Sequence, residues 1–468
     1  MLNIEQQAIV KDVAIKKMKN MQMPLHLFLT GGAGTGKTFT AKAIYQTLLR
    51  LYSASIDNDP DKPKGLIIAY TGKATFNVGG TTLHSAFHIP FNKSNFVPLS
   101  NETLDTMSKH FSQLRVLLID EISLVGSTFL RYVDKRLRDI MQTPTTPFGG
   151  LDTIFCGDLY QVLPVLDSIV FENKPTSTEL LPYNFWIDNV KCYPLTKTMQ
   201  QKDETFISIL NKMRVAAQTS DVIDYLNQHC LKEPPVDPTL PHLFYRQADV
   251  DKHNNKMLTK LPGDTIVLHA LDEQKTNIDT IRLYDHTTTL PPQIHVKLNI
   301  LVEIYAGNYN TQDDLVNGFD GIFKIYTKHN DIDIIWIHFN DSTVGIQRRK
   351  KLAPYYNPTI QTNWTPILRI TKAIQKLNRR PHTTIRKQFP IQVSCARTMH
   401  RSQGLTMDAM AFDPTGIKQH GLAYTTLSRT KTLDKLSLLH PLTPTNFKVK
   451  KKSAHRNVAS TFNCTMEY

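Results

Sequence analysis

Cysteine is sparse and scattered: the five residues Cys156, Cys192, Cys230, Cys395 and Cys464 are odd in number and include no C-x-x-C pair. That excludes a disulfide framework and a zinc site of ordinary spacing, and a reducing, intracellular compartment is expected. No apolar run approaches the ~20 residues that span a bilayer. The opening segment MLNIEQQAIVKDVAIKKMKNM has acids and amphipathic spacing where a secretory signal has an apolar core. No H-E-x-x-H or similar histidine spacing occurs, which excludes a metallohydrolase of that kind. Acid is missing from one long interval, because between Asp341 and Asp408 there is no Asp or Glu at all. The same interval holds Arg348, Arg349, Lys350, Lys351, Arg369, Lys372, Lys376, Arg379, Arg380, Arg386, Lys387, Arg397 and Arg401, nearly the whole net charge of +14. A face of one sign repels itself unless an anion covers it, so a polyanion is expected there, nucleic acid or an anionic membrane surface. Tyr355, Tyr356 and Trp364 lie among these cations, as in proteins that stack single-strand bases, although such aromatics also serve as core.

What is present is a globular chain of 468 residues, 41% hydrophobic and 21% charged, long enough for about three domains. Its texture is a mosaic of α/β units. The apolar runs LHLFLT (25–30), GLIIAY (65–70), LRVLLI (114–119) and TIFC (153–156) read as buried parallel strands. Helical pattern follows the first strand over 38–51 and recurs over 127–141, where Leu130, Val133, Leu137, Ile140 and Met141 share a face. This alternation implies a doubly wound parallel sheet. From about 290 to 387 β-branched runs such as IFKIYT and IIWIHF suggest a small antiparallel barrel inserted in the second half. The cluster KVKKK (448–452) reads as a basic tail that could bind nucleic acid or act as a nuclear import signal.

The segment Gly31-Gly32-Ala33-Gly34-Thr35-Gly36-Lys37-Thr38 fits G-x-x-x-x-G-K-[ST] between a strand and a helix. Glycines let backbone N–H groups close on phosphates, Lys37 reaches the outer phosphate oxygens, and Thr38 would ligate Mg²⁺. Asp120 and Glu121 end the strand LRVLLI, at the sheet edge where ligands bind. Asp120 suits the Mg²⁺ and Glu121 the polarisation of an attacking water, while Gln161 of GDLYQ can read the γ-phosphate. Thr71, Lys73 and His84 lie on loops after the strand GLIIAY and suit contacts with the backbone of a nucleic acid, though His84 could equally be structural.

Taken together these strings resemble the Pif-type DNA helicases of superfamily one, class B, relatives of the RecD-type helicases. LNIEQQ resembles the adenine-reading motif and implicates Gln6. TGKATFNVGGTTLHS, LLIDEISLV, PFGGLDTIFCGDLYQVLPV, FPIQVSCARTMHRSQGLTMD and YTTLSRTK resemble the remaining motifs in order. The resemblance implies two RecA-like domains binding ATP and Mg²⁺ between them, through Gln6, Gly34, Gly36, Lys37, Thr38, Gln161, Gly404 and Arg429. Arg429 would be the arginine finger, and Thr398, His400, Ser402 and Gln403 would join that site to DNA. The expected division is a first RecA-like domain over 1–190 with a small insertion about 77–110, then a second over 191–289 and 388–447. A src-homology-three-like barrel over 290–387 interrupts the second, and 448–468 is the tail. The expected activity is ATP-driven 5′ to 3′ movement on single-stranded DNA with unwinding of tailed duplexes, by a chain that is monomeric when free, off the membrane, and nuclear or virus-associated.

One position departs from the family pattern: Gln200 stands where an arginine usually contacts the γ-phosphate. The rival reading is therefore a nucleotide-gated single-strand binder that hydrolyses ATP weakly. A guanidinium at developing phosphate charge speeds transfer on the order of a thousandfold. Gln200→Arg is expected to raise DNA-stimulated ATP turnover at least several-fold, read in a steady-state phosphate-release assay. An unchanged rate would show that another cation has the role.

Overall fold

The computed structural model describes residues 2–53, 59–70, 72–90, 96–164, 167–172, 185–199, 203–235, 237–275, 290–305, 307, 309–329, 332–375 and 383–447. Within these, the side chains of residues 73, 76, 77, 274, 275, 373–375, 383 and 384 are not described.

Six strands form the first sheet: β1 (His26–Gly31), β2 (Gly65–Ala69), β3 (Thr81–Thr82), β4 (Val116–Asp120), β5 (Asp152–Cys156) and β6 (Lys191–Leu195). They lie in the order β3-β2-β4-β5-β1-β6, every pairing parallel. β4 and β5 are buried at every residue, which explains why their sequences are apolar runs without alternation. Helices α1 (Ile4–Lys19) and α2 (Lys37–Tyr52) cover one face, packing Ile9, Val13, Ala41, Ile44 and Leu48 with Leu29, Leu118 and Ile154. On the other face the helix Ser127–Met141 buries Leu130, Val133, Leu137 and Ile140, the stripe its spacing predicts.

The boundary expected at residue 190 falls one strand too early. β6 hydrogen-bonds β1 with Phe28 opposite Cys192, and without it β1, the strand that carries the glycine loop, would be a bare edge. The second parallel sheet has four strands, in the order Ala396–Thr398, His242–Phe244, Met410–Phe412, Leu436–Leu438. The helix Glu204–Arg214 packs into the same core as these strands through Phe206, Leu210 and Met213.

The inserted β unit is wider than 290–387. Ile266–His269 pairs antiparallel with Gln293–Val296, Leu271–Lys275 with Thr383–Gln388, and Ile391–Val393 with Leu301–Ile304. Segments assigned on sequence to the second α/β domain thus belong to the insertion, which runs from 266 to 393. The polar, charged run LDEQK gives no alternating apolar pattern from which that strand could be read. Its central sheet has five antiparallel strands, and one apolar core containing Leu268, Ile294, Val302, Phe323, Ile337 and Phe389 joins it to the neighbouring pair of strands.

Candidate nucleotide site and nucleic-acid interface

Because the strands are parallel, the loops after β1, β4 and β5 emerge at one sheet edge. The loop after β1 runs into α2 through Gly36, which caps the helix in a left-handed conformation (φ 79°) with no side-chain cap. The first N–H groups of α2 are therefore left open for an anion. A side chain at Gly36 is strained by its left-handed φ, and its Cβ would also displace Gln6 Nε2, 2.7 Å away. Gln6 comes to this place because the Asn3–Gln6 capping box fixes the start of α1. Its Oε1 accepts from Asn3 N–H at 3.0 Å and its Nε2 donates to Thr35 O at 3.1 Å, so the residue supports the loop from beneath. Gly34 also takes positive φ (75°), and its carbonyl accepts from Met199 N–H at 2.8 Å. Lys37 folds back and donates to the carbonyls of Gly31 (3.1 Å) and Gly32 (2.9 Å), bonds that phosphate oxygens can replace.

Thr38 Oγ1 lies 3.1 Å from Asp120 Oδ2, so a hydroxyl and a carboxylate, hard oxygen donors, converge beside the loop. That pair fits Mg²⁺, which takes one or two protein ligands and completes its shell with water and phosphate. Among the described residues no group of three His, Cys, Asp or Glu could hold a metal by itself. Glu121 adopts a left-handed backbone (φ 52°, ψ 46°), rare for a non-glycine residue and a form of strain found at functional sites. Burial, then the neighbouring Asp120 charge, pushes its carboxyl above the usual range, opposed by Arg429 and Lys37. Asp120 is raised by burial as well. Gln161 is buried with no donor to its Oε1, an orphaned acceptor at the same edge that suits a water.

The second domain supplies the opposite wall. Gln403 Nε2 donates to Ser123 Oγ at 3.2 Å and Glu121 Oε2 at 3.4 Å, and the open side of Gly404 faces Glu121 Oε1. Arg429 is buried, with Nε on Thr425 O (2.8 Å) and Nη2 on Ser428 Oγ (2.9 Å), and its charge acts on Glu121. Sequence reasoning passed over Asp158 and Tyr424. Asp158 is fully buried; burial pushes its carboxyl up, but the Arg214 guanidinium and Lys37 outweigh this and hold it below the ordinary range. Both residues stand inside the strings GDLYQ and YTTLSRTK, so their motif membership was the available signal.

Of the residues expected on DNA, Thr71 and the Lys73 side chain lie outside the described residues, as does Gln200. His84 is half-buried, its ring edge-on to Tyr70 and Phe129 and its Nδ1 3.1 Å from Ile89 O, which is the structural alternative. Ser402 is fully buried with its hydroxyl donated to Met399 O, and Gln403 sits on Glu121, so neither meets a strand directly in this conformation. Thr398 is partly exposed and His400 Nε2 lies 2.6 Å from Gln419 Oε1. The basic interval is also less bare than it reads. Arg369 pairs with Asp333, Arg386 with Asp272, Lys387 with Glu273, Arg397 with Asp320 and Arg401 with Glu303, acids supplied by strands outside the interval. Lys350 and Lys351 are exposed, whereas Lys376, Arg379 and Arg380 lie outside the described residues. Tyr355, Tyr356 and Trp364 pack on Trp336 and Ile360 as a small core, so they are not a free stacking platform.

Glu121 supplies a pH test. Its raised pKa means that near neutral pH this partly desolvated carboxylate costs stability, a cost that disappears below about pH 4.3, where the unfolded group is protonated too. Glu121→Gln is expected to raise the melting temperature near pH 7, to lose that gain in acid, and to lower ATP turnover about a hundredfold or more. Thermal melts across pH with a parallel ATPase assay check it; a lower melting point at pH 7 contradicts it.

A model of the PIF1-like helicase family matches residues 1–224. The ATP-dependent DNA helicase PIF1 of Danio rerio is 28% identical over 426 residues, covering 88% of this chain and 58% of its own length. The ATP-dependent DNA helicase RRM3 of Saccharomyces cerevisiae is 26% identical over 505 residues, covering 94% of this chain and 65% of its own. The chain thus spans about three fifths of the length of the curated PIF1 relatives it matches. Among solved structures, the Pif1 helicase from Candida albicans has a TM-score of 0.70 at 22% identity, covering 98% of this chain and 100% of that one. Bacteroides Pif1 bound to ssDNA has a TM-score of 0.67 at 22% identity over 96% of this chain and 95% of that one. The first 224 residues thus match the PIF1-like helicase family, and the chain is similar in sequence to PIF1 and RRM3 helicases over most of its length and in fold to solved Pif1 structures.

Proposed function

We propose that the chain is an ATP-driven DNA motor that moves 5′ to 3′ on single strands and unwinds tailed duplexes. The observation that carries this is the convergence of both domains on one phosphate site: Gln403 and Arg429 from the second act on Glu121 of the first. The names of the relatives, ATP-dependent DNA helicases, support it, as do the titles of the Bacteroides Pif1 structures with ssDNA and with ADP-AlF3.

In this scheme Lys37 leaves the carbonyls of Gly31 and Gly32 for the β and γ oxygens of ATP. Thr38 and Asp120 would hold Mg²⁺, which supplies charge neutralisation on the phosphates. Glu121 takes the proton of the attacking water, oriented with the help of Gln161, as the β–γ bridging bond breaks and ADP departs with inorganic phosphate. Glu121 must be ionised to do so, and the Arg429 and Lys37 charges are the ones that oppose its raised pKa. Arg429 turns from Thr425 O toward the developing charge, so chemistry requires the domains to be closed. Thr71, Lys73, Thr398, His400 and the exposed Lys350 and Lys351 are the proposed strand contacts, with Gln403 relaying between strand and Glu121. Intracellular, nuclear placement suits this role, and no helix among the described residues is long and apolar enough to cross a membrane.

The test is strand separation on matched 5′-tailed, 3′-tailed and blunt duplexes. Unwinding of the 5′-tailed duplex alone, dependent on ATP and lost in Lys37→Ala, is expected. Unwinding from the 3′ tail would contradict the polarity. DNA binding that responds to ATP without turnover would instead establish the nucleotide-gated binder.

A further inference from the structure

The second domain touches the phosphate loop at a single described backbone donor. Ala33 N–H donates to the Tyr424 hydroxyl oxygen at 2.9 Å, and that hydroxyl donates in turn to Asp158 Oδ2 at 3.2 Å. The far side of Asp158 is forked by Arg214, with Nε 3.0 and 3.1 Å from the two carboxylate oxygens and Nη2 2.9 Å from Oδ1. Ala33 and Asp158 follow strands of the first sheet, whereas Arg214 and Tyr424 lie on helices packed in the second core. The helix Leu422–Leu427 is seated hard against the first domain: a Cβ on Gly421 would lie 2.4 Å from Tyr160 O and 2.6 Å from Gln161 O. The hydroxyl is therefore aimed by backbone contact as well as by packing, and the chemistry proposed above makes no use of it.

Backbone N–H groups of such a loop are the donors that grip phosphates. Ala33 presents its N–H toward the second domain, the domain whose Gln403 and Arg429 also act on Glu121 at this sheet edge. We propose that Tyr424 is a positioning residue that reads this outermost phosphate: its hydroxyl holds Ala33 N–H when no triphosphate is bound and yields that donor to a γ-phosphate oxygen when one is. The hydroxyl keeps Asp158 as its acceptor in both states, so what changes is the bond between the second domain and the loop. ATP, but not ADP, thereby exchanges an interdomain bond for a nucleotide bond. This inference rests on the proposed binding and hydrolysis of ATP.

Tyr424→Phe deletes the hydroxyl and keeps the ring in its apolar core with Leu422 and Leu427. Titration of the full chain with a fluorescent non-hydrolysable ATP analogue and with the matching ADP is the experiment. Losing a competing hydrogen bond should tighten the triphosphate about fivefold and leave ADP unchanged. Hydrogen exchange of the Ala33 amide in nucleotide-free protein supplies a second measurement: slow in the wild type, faster in Tyr424→Phe. Equal shifts for both nucleotides, no shift for either, or unchanged Ala33 exchange would overturn the assignment. If the wild-type chain binds neither nucleotide, the proposed function falls along with it, whereas an unresponsive variant of a nucleotide-binding wild type removes Tyr424 alone.

Discussion

Three carboxylates, the buried Asp120 and Asp158 and the half-buried Glu121, meet at one edge of one sheet, and the structure depends on how their charge is balanced. A buried anion is tolerable only when a cation and hydrogen-bond donors reach it. The first domain offers Lys37, the Thr38 hydroxyl and the backbone N–H groups of Glu121 (on Asp120) and Tyr160 (on Asp158); the second adds Arg214 on Asp158, with Gln403 and Arg429 toward Glu121. Neither domain is electrostatically complete alone. Interface and nucleotide site are therefore the same place, and a change in phosphate charge there must be felt by both domains.

That balance extends outward into the insertion. Arg397 precedes the turn Met399–Ser402 that delivers Gln403 and Arg401 lies within it, and they pair with Asp320 and Glu303 on the inserted strands. Glu303 is itself buried, so the Arg401 contact is not a casual surface pair. A chain of ion pairs and hydrogen bonds thus runs from the β insertion through residues 397–403 to Glu121. Movement of the insertion against the second domain would act on the turn that holds Gln403, which gives physical content to the coupling of strand and nucleotide in the proposed motor.

Much of this was legible in the sequence where function demands local order. A glycine loop between strand and helix, acids ending an apolar strand, and Leu130, Val133, Leu137 and Ile140 at helical spacing all depend on neighbours in the chain. The misreadings concern partners distant in sequence. The acid-free interval looked like an uncovered cationic face because Asp272, Glu273, Glu303, Asp320 and Asp333 lie before it and return by strand pairing. Charge patterning along a chain does not show which strand will lie beside it. For the same reason Lys191–Leu195 was set in the wrong domain, since parallel pairing with β1 leaves no local signature. Tyr424 and Asp158 stood within recognised strings, but only the folded interface shows that they meet.

The claim that the two domains build one site is tested most directly at Arg429, the buried second-domain cation whose charge acts on Glu121. Single-turnover hydrolysis with saturating single-stranded DNA, measured on Arg429→Ala beside the wild type, separates binding from chemistry. ATP affinity within a few-fold of wild type, which also reports an intact fold, and a chemical step slower by on the order of a thousandfold are expected. Hydrolysis at the wild-type rate in that variant would show that the first domain catalyses alone and that the interface is not the active site.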